Sequence, residues 1–183
     1  MPDPYARPFV CSGSPLACRV FVVGLNAATR LNQPFWEFWS DATGFDRDAF
    51  MKRYDELRPK SGARPRIERI VNEMPRGVCL ETNLFCIPTK KAADLRREHR
   101  KPDVFEYLFD AIKPAVVYVH SNAPIEFFRA RTGCGDFNTA VRSVVWKEHQ
   151  FRLFGTPGPI WRMSLENAQA IGRILANEAT RSQ

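Results

Sequence analysis

The chain has 183 residues, 44% of them hydrophobic and 26% charged, with 27 basic against 20 acidic side chains and a formal net charge of 27 − 20 = +7. Fourteen phenylalanines exclude a disordered chain, and 10 Gly with 14 Pro are too few for a fibrous one. No apolar run reaches the roughly 18 residues of a membrane span, and Met1-Pro-Asp-Pro4 lacks the basic flank and apolar stretch of a secretory signal. The expectation is one domain, core about 19–179, in a soluble, cytoplasmic monomer.

The first strand signal is Arg19–Leu25, β-branched and ended by a glycine-containing turn. Pro34–Trp39 reads as a short aromatic helix, and Asp46–Leu57 as a longer one, with Asp46 as cap and Phe50, Tyr54 and Leu57 on one face. Pro65 opens a helix whose stripe is Ile67, Ile70, Val71 and Met74. A second strand, Gly77–Leu84, runs into the loop Phe85–Lys91.

Pro102–Ile112 is helical, Ala115–His120 is a buried strand, and Ala123–Arg131 is the helix after it. Val141–Trp146 and Gln150–Phe154 read as late strands, an edge pair, before a final helix over Ser164–Glu178. This alternation predicts an α/β fold, a three-layer α/β/α sandwich around a mostly parallel sheet. Ligands in such sheets sit at the carboxyl ends of the strands, which directs attention to the loops after Leu25, Leu84, Val119 and Phe154.

Charge is uneven. Residues 52–101 hold 14 Lys or Arg and 7 acids, which leaves 27 − 14 = 13 basic and 20 − 7 = 13 acidic residues elsewhere. One reading is a polyanion-binding face; the other is a set of solvated, ion-paired helices. The five cysteines (Cys11, Cys18, Cys79, Cys86 and Cys134) form no C-x-x-C pair, so reduced structural thiols and no metal are expected. His120 ends a core strand, where a satisfied structural histidine is the commoner outcome; His99 and His149 read as surface residues. Cys134 lacks an identifiable catalytic histidine partner.

Taken by itself, Asn26 reads either as a turn cap or as an amide able to orient a water or read a base edge. The aromatics after it read either as core or as stacking platforms. Three stretches then fall in a telling order: Gly24-Leu-Asn-Ala-Ala28, Glu81-Thr-Asn-Leu-Phe-Cys-Ile-Pro88 and Thr156-Pro-Gly-Pro-Ile-Trp-Arg-Met-Ser-Leu-Glu-Asn167. Together with Pro114–Phe128, they resemble the motifs of the uracil-DNA glycosylase superfamily, nearest its mismatch-specific uracil/thymine branch, over most of residues 19–176.

The resemblance implies that fold, no cofactor, DNA as partner, and hydrolysis of the N-glycosidic bond of uracil or a related deaminated base. It implies that Asn26 holds the attacking water, that Leu25, Phe35 (or Trp36) and Asn83 bind the flipped base, and that Thr156 stands at the second catalytic position. Residues 156–162 would press on the minor groove, with Pro157, Gly158 and Arg162 contacting DNA beside Lys90 and Lys91. Two departures stand out. Ala27 replaces the usual Pro, and Thr156 and Gly158 replace the His or Asn and the Ser of the second motif, which leaves a non-catalytic nucleic-acid or nucleobase binder as the alternative.

Overall fold

Two apolar runs rich in β-branched residues, Val20–Val23 and Val116–Val119, form the centre of a four-stranded parallel sheet with a short antiparallel strand at each edge. The computed structural model describes residues 6–28, 31, 33–57, 62–89, 91–135, 137 and 140–181. In chain order the elements are β1 (Phe9–Val10), β2 (Val20–Ala28), β3 (Trp39–Ser40), β4 (Gly44–Phe45), α1 (Arg47–Glu56), α2 (Arg64–Val71) and β5 (Cys79–Thr89). They continue with α3 (Asp103–Ile112), β6 (Val116–His120), α4 (Asn122–Thr132), β7 (Arg142–Trp146), β8 (His149–Thr156) and α5 (Leu165–Arg181).

The six-stranded sheet has the order β1-β5-β2-β6-β8-β7. β5, β2, β6 and β8 are mutually parallel, while β1 and β7 pair antiparallel at the two edges. Alternation along the strands sends side chains to both faces, and each face has its own core. Val20, Val22, Val116 and Tyr118 meet Ile70 of α2 and Ile171 and Leu175 of α5. Phe21, Val23, Val117 and Val119 meet Phe105 and Phe109 of α3 and Phe128 of α4. Helices therefore cover both faces, as continuous apolar strands require.

Asp46 caps α1, its Oδ1 accepting from the Ala49 amide at 2.9 Å. Gly172 lets α5 lie close on α2: a Cβ there would stand 2.5 Å from the Ile70 carbonyl oxygen.

Several expectations shift. Gly24 lies within β2, which runs on to Ala28 through an irregularity between Asn26 and Ala28, so Asn26 is a strand residue and not part of a turn. β5 extends to Thr89. The aromatic helix is a single 3-10 turn, Phe35–Phe38. The late strands do pair, but only β7 is an edge, because β8 also pairs with β6.

The basic segment is not one open face. Arg64 is drawn into a buried cluster, Arg53, Arg76 and Arg96 pair with Glu56, Asp48 and Glu98, and Arg66 donates to the Met163 carbonyl. All five cysteines are buried free thiols. Among the described residues, no helix is long and apolar enough to cross a membrane, and no group of three or more His, Cys, Asp or Glu could hold a metal ion.

Candidate active site

Parallel register aligns one row of residues at the carboxyl ends of the strands. Asn83 of β5 lies beside Gly24 of β2, and His120 of β6 lies beside Thr156 of β8. A side chain at position 24 would crowd the site: a Cβ would stand 2.7 Å from Asn83 Oδ1 and 3.0 Å from His120 Cε1. The missing side chain lets the amide and the imidazole close together over the strand. Beside them is a cavity of about 120 Å3, lined by residues that include Asn26, Ala27, Asn83, His120, Glu81 and Arg7. An apolar cavity of roughly 150 Å3 takes benzene, so this one is on the scale of a single six-membered ring.

Asn26 Nδ2 donates to Thr89 Oγ1 at 2.7 Å, and Thr89 Oγ1 in turn donates to the Lys91 carbonyl at 2.7 Å. The Thr89 hydroxyl proton is therefore committed, and its lone pair receives the amide. This orients Asn26 so that Oδ1 is the acceptor side of the group.

His120 is buried, with Nδ1 3.3 Å from Ser121 Oγ. Burial pushes its pKa down to about 4, against a smaller upward pull from the Glu81 carboxylate. The ring is thus neutral at physiological pH. In the tautomer in which Ser121 donates to Nδ1, the ring proton sits on Nε2, which lies on the side of Gly24.

The floor carries an ion cluster. Glu81 Oε1 meets Arg47 Nη2 at 2.7 Å and Oε2 meets Arg64 Nη1 at 2.5 Å, while Glu68 Oε1 takes the same two guanidiniums at 2.8 and 3.0 Å. Burial opposes the Glu81 charge, but Arg64 and Arg47 outweigh it and hold the carboxyl below its ordinary range. Arg64 also lies over the Tyr54 ring, 5.2 Å from its centroid.

The residues singled out from the sequence divide into groups. Asn26 and Asn83 share the cavity. Leu25, the alternate residue on β2, is half-buried and outside its lining. Phe35 is packed between Phe9 and Phe45, at centroid distances of 5.0 and 5.2 Å, and is core; Phe9, Phe50 and Tyr54 are the aromatics that line the cavity.

Thr156 points to the same face as His120, but its Oγ1 lies 2.6 Å from the Tyr118 hydroxyl. It lines a separate surface groove with Pro157, Gly158 and Arg162. Asn122 Oδ1 anchors that loop by accepting from the Gly158 amide at 3.0 Å. Lys91 is exposed, and Lys90 lies outside the described residues. Trp36, the alternative stacking residue, is 70% exposed, and Trp161 beside Arg162 is 53% exposed.

Sequence reasoning weighed His120 as structural and passed over Arg7, Glu81 and Tyr54. A strand-end histidine aligned with a strand glycine was the available signal for His120; Arg7 had none. Comparison with protein-family models and with curated proteins finds no match to this chain.

Proposed function

We propose that the protein hydrolyses the N-glycosidic bond of uracil or a related deaminated base in DNA, in a three-layer fold of the uracil-DNA glycosylase type. The observation that carries this reading is the fixed amide of Asn26 at the rim of a ring-sized cavity that also holds Asn83 and the neutral His120. The order of the four parallel strands and the three motif stretches add to it.

A base must leave the stack before a protein can act on its glycosidic bond, and a closed pocket with hydrogen-bonding edges offsets the few kcal/mol this costs. In the proposed site the amide of Asn83 offers one donor and one acceptor to the pyrimidine edge. The bond between C1′ and N1 breaks with its electron pair moving to the base. Nε2–H of His120 meets the charge developing on the ring. A neutral imidazole suits this step, because it donates a hydrogen bond without protonating the base first.

Water held by Asn26 Oδ1 adds its oxygen to C1′, and its proton passes to the departed base or to solvent. Free base and an abasic deoxyribose result. His120 thereby supplies the donor that Thr156, engaged with Tyr118, does not. Outside the pocket, Trp161 is the exposed apolar group suited to filling the gap in the duplex, with Pro157 and Gly158 shaping its loop and Arg162 and Lys91 reaching phosphates.

The test uses end-labelled oligonucleotides carrying uracil opposite G, opposite A and in a single strand, followed by alkaline cleavage at abasic sites. Product is expected from the wild type, falling about 10²–10³-fold in Asn26→Ala. No product from any substrate, with salt-sensitive retention of the same oligonucleotides, would replace hydrolysis by binding alone.

A further inference from the structure

Arg7 lines the cavity with fully buried hydrogen-bond donors that no described residue takes up. The residue is 6% exposed. Nη2 donates to the Leu31 carbonyl, while Nε and Nη1 are buried and have no partner among the described residues. The guanidinium carbon lies 5.6 Å from the centroid of Phe50, so one face is covered by an aromatic ring.

The neighbouring carboxylates do not answer it. Both oxygens of Glu81 are taken by Arg47 and Arg64, and Glu68 serves the same pair. Among these groups three guanidiniums face two carboxylates. Burial pushes the pKa of Arg7 down to about 10, eased by Tyr54 and worsened by Arg64, so the charge persists at neutral pH. A buried, charged, unsatisfied donor is costly to a fold and calls for an acceptor from elsewhere.

We propose that the uncompensated Arg7 guanidinium makes this cavity selective for a ring-sized ligand bearing an anionic oxygen, while Asn26 and Asn83 take the neutral edge of the ring. This rests on the same pocket as the proposed hydrolase and extends its base class from uracil to oxidised pyrimidine-type rings that are ionised at neutral pH. A phosphate oxygen presents the same chemistry, so the source of the anion is part of the test.

Uracil and 6-hydroxyuracil (barbiturate, an anion at neutral pH) differ by a single oxygen and are the matched probes. Their binding to the full chain, measured by calorimetry, is expected to favour the anion by about tenfold or more, the scale of one charge-assisted hydrogen bond. Arg7→Met should bring the ratio near one, and Arg7→Lys should retain part of it. The melting temperature of Arg7→Met should hold or rise, since the change removes an unsatisfied buried charge; a purely structural Arg7 would lower it.

Displacement of barbiturate by inorganic phosphate or uridine monophosphate at equal concentration would support the anion site and assign it to a phosphate oxygen. Equal affinity for uracil and barbiturate in the wild type, or a preference that survives Arg7→Met, would overturn the proposal. Uracil excision without anion preference would remove this inference and leave the hydrolase standing. Anion preference without excision from any oligonucleotide would do the reverse.

Discussion

His120 and Thr156 face one another in register on adjacent parallel strands, and the Thr156 hydroxyl is held 2.6 Å from the hydroxyl of Tyr118. Burial, only partly offset by that hydrogen bond, pushes the Tyr118 pKa up to about 12, so both groups stay neutral and bound to each other. In the proposed reaction the hydrogen-bonding work at the cavity wall falls to the imidazole. In single-turnover kinetics, His120→Ala should slow base release by about 10²–10³-fold, the usual cost of one lost donor to a developing anion. Thr156→Val should cost less than about tenfold. The reverse ranking would return the catalytic role to Thr156.

The closeness of Asn83 and His120 over Gly24 gives a second test. Gly24→Ala puts a methyl group 2.7 Å from Asn83 Oδ1 and 3.0 Å from the ring of His120. Such overpacking costs about 1–3 kcal/mol. The variant should lose measurable stability in urea and should bind uracil at least about tenfold more weakly as the two side chains are pushed apart. Unchanged binding would mean that the cavity does not depend on this contact.

Glu81 neutralises two guanidiniums at once, from a position 7% exposed. Glu81→Gln leaves Arg47 and Arg64 sharing Glu68 alone. Removing one member of a buried pair costs about 3–5 kcal/mol, so the urea midpoint should fall steeply with little change in slope. A midpoint within error of the wild type would show the cluster to be better solvated than its burial indicates.

Acid should act on the fold through His120 before it reaches the carboxylates. The folded imidazole titrates near 4 and the unfolded one at 6.5. The unfolded chain therefore binds the extra proton first, and stability present above pH 6.5 is lost as pH falls toward 4. The full effect is about 3 kcal/mol. Glu81, held below 4.5, adds its own loss only at still lower pH. Denaturation midpoints measured between pH 7 and 4.5 should decline in the wild type and flatten in His120→Gln; a wild-type curve flat over that range would contradict a buried neutral imidazole.

The strands could be read in the sequence because Val20–Val23 and Val116–Val119 are continuous apolar runs, buried from both sides. Asn26 could be read because an amide at the end of such a run interrupts its pattern, whereas Asn83 was reached only through the motif resemblance. β1 is two residues long and leaves no periodicity to detect, so the wall that carries Phe9 and Val10 was invisible. Phe35 and Phe50 look alike in composition; which of them reaches a cavity depends on how the 3-10 turn and α1 fold against β1 and β4. Arg7 sits in an irregular segment, and only its tertiary setting, with the Leu31 carbonyl at one nitrogen and Phe50 beneath, sets it apart from a surface arginine.

β1 ties residues 9 and 10 to residues 82 and 81, across some seventy residues of intervening chain. β1 leaves the ribosome before β5, yet it has no strand to pair with until β5 has been made. A strand made early is thus fixed late, and a nascent chain arrested before β5 would carry Asn26 on β2 but lack the wall that encloses it. Long-range closure of this kind is slow compared with local helix formation. Deleting β1 would accordingly leave the parallel sheet its own strands while removing one side of the pocket.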